Sequence, residues 1–187
     1  VNRLHAELRA AEVAGNTLAG HAAVFGQLAE IRGGYEAISP AAFDEVLARD
    51  DDVVALRDHD PSLLLGRRSA GTLRLATDAD GLAFEVDLPD TSYARDVREL
   101  VARGDLRGAS FGFLPGKDEL GRAPDGKQVR THTSIRRLID VSVVGIPAYD
   151  GTNVTLRHLT FGPPTLDRRT QLILARHRAR TSSGGTL

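Results

Sequence analysis

The chain has 187 residues, 41% hydrophobic and 26% charged, with a formal net charge of −1, 19 glycines, 5% aromatics and no cysteine. These numbers fit one globular domain with a core of its own, and they exclude a disulfide framework, thiolate catalysis and thiolate-ligated zinc or iron–sulfur. The balanced charge argues against a nucleic-acid binder, and the longest apolar stretches, such as residues 141–148, fall well short of the ~20 residues of a membrane span.

Residues 1–16 carry Ala, Glu and Arg with weak helical patterning and read as a lead-in without function. Their charges stand where a secretory signal would be apolar, so a cytosolic location is expected. Residues 17–25 alternate loosely and break at Gly26; 30–38 resume as an extended segment around Gly33-Gly34, which predicts a first hairpin. Ser39-Pro40 opens a helix with an apolar stripe of Phe43, Val46 and Leu47. Residues 53–57 form a short strand that ends at His59.

Residues 72–88 are the clearest hairpin: Leu73, Leu75 and Thr77 alternate, Asp78-Ala79-Asp80-Gly81 turns, and Leu82, Phe84, Val86 and Leu88 alternate again. A second helix follows over 91–103, with Asp90 as cap, Tyr93, Val97, Leu100 and Val101 as its buried face, and Gly104 as the terminating residue. Strands are then predicted at 106–114, 129–136, 138–146 and 154–159, with 117–127 as an exposed loop.

Beyond Leu159, Gly162-Pro163-Pro164 interrupts the chain, and five arginines stand against one aspartate. Leu166, Thr170, Ile173, Leu174 and His177 share one face of a possible last helix. This basic stretch reads first as a solvated tail and second as a dock for an acidic scaffold or nucleic acid. The predicted organisation is a lead-in over 1–16, a catalytic domain over 17–160 and a basic tail over 161–187. The fold class is α+β: a mainly antiparallel β-barrel or sheet with peripheral helices, since strands and helices do not alternate.

Three segments each place one reactive side chain in or beside an apolar strand: Leu56-Arg57-Asp58-His59-Asp60, Gly108-Ala109-Ser110-Phe111-Gly112 and Ile139-Asp140-Val141-Ser142-Val143-Val144. Together they offer a base, a nucleophile and a carboxylate. The middle segment satisfies G-x-S-x-G, the nucleophile elbow of α/β-hydrolases. That assignment fails, because the elbow needs a helix directly after the serine and here Phe113-Leu114-Pro115-Gly116 extends the strand and then turns.

In a strand, Gly108, Ser110 and Gly112 share one face, so the two glycines clear space beside the hydroxyl. A serine hydroxyl needs a base within reach, and His59 is the best candidate over His5, His21, His132, His158 and His177. The bland alternatives stay open at this point: His59 bonded to Asp58 or Asp60 in a turn, Ser110 as a small packed residue, Asp140 paired with Arg136 or Arg137. Asp140 is the strongest anomaly, since a carboxylate inside a buried strand is costly unless paired.

At these segments the chain resembles the prohead maturation proteases of tailed bacteriophages, which are similar in fold to the herpesvirus capsid assembly protease. The resemblance covers about residues 18–159 and rests on Gly20-His21-Ala22-Ala23-Val24-Phe25, Ile38-Ser39-Pro40-Ala41-Ala42-Phe43, His59-Asp60 followed by Leu65-Gly66-Arg67, Asp80-Gly81-Leu82, Ser110-Phe111-Gly112-Phe113, and Asp140-Val141-Ser142 leading to Pro147-Ala148-Tyr149. It implies a serine endopeptidase with Ser110 as nucleophile, His59 as base and Asp140 as third member, no cofactor and no metal.

It further implies cleavage of scaffold, or of the scaffold-like arm of the major capsid protein, and of the enzyme itself, inside the assembling procapsid in the host bacterial cytoplasm. Homo-oligomerisation is suggested by the herpesvirus relatives. The turn Val144-Gly145-Ile146 is the candidate oxyanion hole by the same analogy. Two other readings compete: a catalytically silent capsid-assembly module, and a small serine esterase that uses a histidine C-terminal to Ser110.

Overall fold

The computed structural model describes residues 2–6, 16–31, 33–145 and 155–156, the first and last of these by their backbone alone. Among them, thirteen strands and two short α-helices form. The first eight strands are β1 (Asn2–Ala6), β2 (Thr17–Val24), β3 (Ala29–Ile31), β4 (Gly34–Ile38), β5 (Val54–Arg57), β6 (Asp60–Arg67), β7 (Leu73–Thr77) and β8 (Gly81–Asp87). The remaining five are β9 (Gly108–Pro115), β10 (Asp118–Arg122), β11 (Gln128–His132), β12 (Ile135–Val144) and β13 (Thr155–Leu156). A 3₁₀ turn at Pro40–Phe43 leads into α1 (Asp44–Ala48), and α2 spans Ser92–Ala102.

The strands make three sheets, ordered β1-β9-β12-β5-β6, β10-β11-β4-β3 and β13-β2-β8-β7. Pairing is antiparallel except for β12 with β5 and β11 with β4. The mainly β architecture with outlying helices is as expected, but the single barrel is not: no closed ring of strands forms among the described residues. One reason is local. Residues 117–127, expected as a loop, contain β10, which pairs with β11 and draws it to β4 and β3 in a separate sheet. Every residue of β10 is exposed, so no alternation of apolar side chains marks it in the sequence.

The first hairpin joins β3 to β4, whereas β2 pairs with β8 across a long stretch of chain. Within residues 1–16, read as a weakly helical lead-in, β1 lies antiparallel along β9. The predicted tail helix lies outside the described residues. Thr91, rather than Asp90, caps α2 by accepting the Ala94 amide at 3.4 Å, while Asp90 pairs with Arg95. Gly104 ends the helix at φ 79°, a left-handed conformation that glycine adopts without steric cost.

One apolar cluster holds the sheets together. It takes Leu18 from β2, Leu73 and Leu75 from β7, Phe84 and Val86 from β8, Val97 and Val101 from α2, and Phe111 and Phe113 from β9. Phe43 meets Phe111 edge-on at 5.5 Å, and Phe111 stacks on Phe113 at 5.0 Å. Anchoring Ala109, Phe111 and Phe113 in the core commits Gly108, Ser110 and Gly112 to the opposite face of β9, since side chains alternate along a strand.

Candidate active site

Three side chains converge on that face. Ser110 sits in the middle of β9 and Asp140 on the neighbouring β12, where the ladder pairs Ser142 with Ser110 and Asp140 with Gly112. Regular alternation would put Asp140 on the same side as Leu138, which is fully buried in the core opposite Phe113. A β-bulge between Leu138 and Asp140 prevents this: Ile139 is an extra residue with no counterpart on β9, and the insertion reverses which face each following residue takes. Val141 and Val143 then return to the core, and Asp140 and Ser142 join Ser110.

His59 arrives from a turn, not from the strand end expected. β5 and β6 pair Arg57 with Asp60, which leaves Asp58 and His59 as a two-residue hairpin loop. Both adopt left-handed backbone, with φ of 50° and 58°, the geometry that two-residue loops between right-twisted strands favour. For residues other than glycine this costs roughly 1 kcal/mol each. Several bonds offset the cost. The Asp58 amide donates to Val143 O at 2.9 Å, the Gly145 amide donates to Asp58 Oδ1 at 3.0 Å, and Arg57 Nε donates to Asp58 Oδ2 at 2.7 Å. On the far side of the loop, the Ser62 hydroxyl and amide both donate to Asp60 Oδ1 and hold that carboxyl below its ordinary range.

The turn lays the imidazole across the sheet. His59 Nδ1 lies 2.6 Å from Asp140 Oδ1, and Nε2 lies 2.7 Å from Ser110 Oγ. A carboxylate only accepts, so Nδ1 carries the proton; in the neutral ring Nε2 is then the acceptor for the serine hydroxyl. Asp140 Oδ1 also accepts the Ser142 hydroxyl at 2.6 Å. Asp140 is 5% exposed, Ser110 0% and Ser142 1%, so these bonds lie away from the screening of bulk water. Gly112 makes room for the carboxylate, because a Cβ there would collide with Asp140 Oδ2.

The histidine bonded to Ser110 precedes it in the chain, the reverse of the order the esterase reading requires. Arg136 and Arg137 are exposed, and among the described residues Asp140 is held by His59 and Ser142 instead of either arginine. His21 pairs with Asp78 at 2.8 Å, and His132 pairs with Asp118 at 2.6 Å. The side chains of His5, His158 and His177 lie outside the described residues. The candidate oxyanion donor at Gly145 is engaged by Asp58.

Sequence reasoning missed Ser142 as a member of this group, although a hydroxyl between Val141 and Val143 is the same kind of anomaly that drew attention to Asp140. His21, Asp78 and Asp80 bring ligand-type atoms within 4.8 Å of one another. There the His21 ring is already paired with Asp78, whose Oδ1 accepts the amides of Asp80 and Gly81, so a local turn accounts for the cluster. No described helix is long and apolar enough to cross a membrane.

The chain is similar to the caudovirus prohead serine protease family, whose sequence model matches residues 5–162. No curated protein matches it.

Proposed function

The chain belongs to the caudovirus prohead serine protease family, serine proteases of virus capsid maturation, and from that premise we propose that Ser110, His59 and Asp140 are its catalytic residues. The observation that carries this reading is the unbroken hydrogen-bond chain from Ser110 Oγ through the imidazole to Asp140, at 2.7 and 2.6 Å. Ser110 Oγ attacks the peptide carbonyl as His59 Nε2 takes its proton. His59 passes that proton to the leaving amine, and water then releases the acyl group by the same route. Asp140 keeps the proton on Nδ1 and stabilises the imidazolium that forms.

The substrates we propose are the scaffold protein or the scaffold-like arm of the major capsid protein, and the enzyme itself, cut inside the assembling procapsid in the host bacterial cytoplasm. Residues 17–160 form the protease domain, a relative in fold of the herpesvirus capsid assembly protease. The basic residues 161–187 dock it to scaffold and are trimmed by self-cleavage.

Co-expression with the major capsid or scaffold protein of its own source, wild type beside Ser110→Ala, followed by intact mass of every product, tests this. Defined truncations that vanish with Ser110→Ala are expected. Identical uncut masses in particles that nonetheless assemble would mean a catalytically silent assembly module.

A further inference from the structure

We propose that Ser142 is a positioning residue of this site, fixing the Asp140 carboxylate and biasing His59 toward its neutral, proton-accepting form. The inference deepens the reading of Ser110, His59 and Asp140 as catalytic and rests on it. Ser142 is 1% exposed on a strand otherwise apolar from Val141 to Val144, a place where an unbonded hydroxyl is costly. Its Oγ–H donates at 2.6 Å to Asp140 Oδ1, the oxygen that also accepts His59 Nδ1–H at 2.6 Å. The other oxygen, Oδ2, lies against the backbone of Gly112. The carboxylate is thus held on one side by a hydroxyl and bounded on the other by a strand, which leaves it little freedom to rotate. The ladder sets Ser142 directly across from Ser110, so β12 supplies the acid and its anchor within three residues of one strand.

Two donors on one oxygen compete. While His59 is neutral the carboxylate bears its whole charge, and the bond from Ser142 is strong. Once His59 is protonated, the imidazolium draws on that charge and the serine bond weakens. Ser142 therefore stabilises the neutral ring more than the charged one, and its removal favours the charged ring.

Two readouts of Ser142→Ala test this: the pH dependence of kcat/KM on a peptide spanning a mapped cleavage site, and the NMR titration of the His59 ring in a Ser110→Ala background that cannot cut itself. The expected result is a kcat about tenfold lower, the factor one hydrogen bond to a charged group represents, with KM little changed. The acidic limb and the ring signal should move upward together. Ser142→Thr, which keeps the hydroxyl, should restore both. Ser142→Cys, of similar size and a weak donor, should shift them in the same direction if the alanine variant does not fold. An unmoved limb and an unmoved ring titration would overturn the proposal and leave Ser142 as packing. Loss of the catalytic reading is separable: Ser110→Ala would then leave cleavage intact, while the ring titration still reports on Ser142.

Discussion

Asp140 stands opposite Gly112 across the β9–β12 ladder, and its carboxylate occupies the volume that a side chain at position 112 would need. Glycine at this point is a condition for the acid to lie over the strand. Gly112→Ala is therefore expected to lower peptidase kcat by at least about 100-fold, the scale of a small misplacement in a catalytic group. It should also cost about 1–3 kcal/mol of stability from overpacking. Activity and urea unfolding on the same preparation check both. Normal turnover in Gly112→Ala would mean that the position of Asp140 is immaterial.

Asp140→Asn removes the charge while keeping the size. An amide in place of the carboxylate can present its NH₂ to the ring and leave the proton on Nε2, so that the ring no longer accepts from Ser110. The expected loss in kcat approaches about 10⁴. Single-turnover kinetics read it directly, and a loss below tenfold would remove Asp140 from the mechanism.

Asp58→Gly separates backbone strain from tethering. Glycine adopts the φ of 50° seen at this position without cost, yet it offers no acceptor to the Gly145 amide or Arg57. Thermal stability should change by less than about 1 kcal/mol. Turnover should fall about tenfold, because the turn that carries His59 loses its side-chain tie to Gly145, just past β12, and keeps only the amide bond to Val143. Unaltered turnover would show that backbone conformation alone positions the ring.

His132 offers a pH test outside the active site. It is fully buried between Asp118 of β10 and Glu36 of β4, with its Nε2 3.6 Å from Glu36 Oε1 and its ring edge-on to Phe113; Arg130 lies 3.9 Å from the same Asp118. Burial by itself pulls its pKa down, and the two carboxylates more than reverse this, so it is raised above the ordinary value. The folded state then holds the proton more tightly than the unfolded chain does. Its stabilising contribution is complete below the unfolded value of about 6.5 and is lost as pH rises through the folded value. Urea unfolding from pH 6 to pH 9 should show a decline that His132→Gln lacks. Identical profiles for the two proteins would contradict the assignment.

Much of this arrangement was legible in the sequence. Ser110 and Asp140 stood out as polar residues inside apolar runs, and the 73–87 hairpin and α2 followed from period-two and helical patterning. Most of what escaped had no local signature. Asp58-His59 contains no glycine to announce left-handed backbone, β10 is exposed on every residue, and Leu138-Ile139-Asp140 reads as regular strand although Ile139 is bulged. Ser142 went unassigned because a lone serine resembles a small packing residue until its neighbour across the carboxylate is known. The separation into three sheets depends on β4 pairing in parallel with β11, a contact between distant segments that neither sequence announces.

The bulge at Ile139 is one of two points where β12 carries a residue that β9 does not match, and it makes position in this site a matter of parity. Deleting that residue would look, in an alignment, like the loss of one aliphatic side chain from a hydrophobic run. In three dimensions it would only remove the bulge: with the upstream register kept, Leu138 stays opposite Phe113 and Asp140 opposite Gly112, whereas the full-length strand paired without its bulge would carry the acid into the core as a valine left it. Relatives one residue shorter at this point can therefore hold the acid in the same place, and should be aligned on the acid and the strand that faces it before they are compared by residue type.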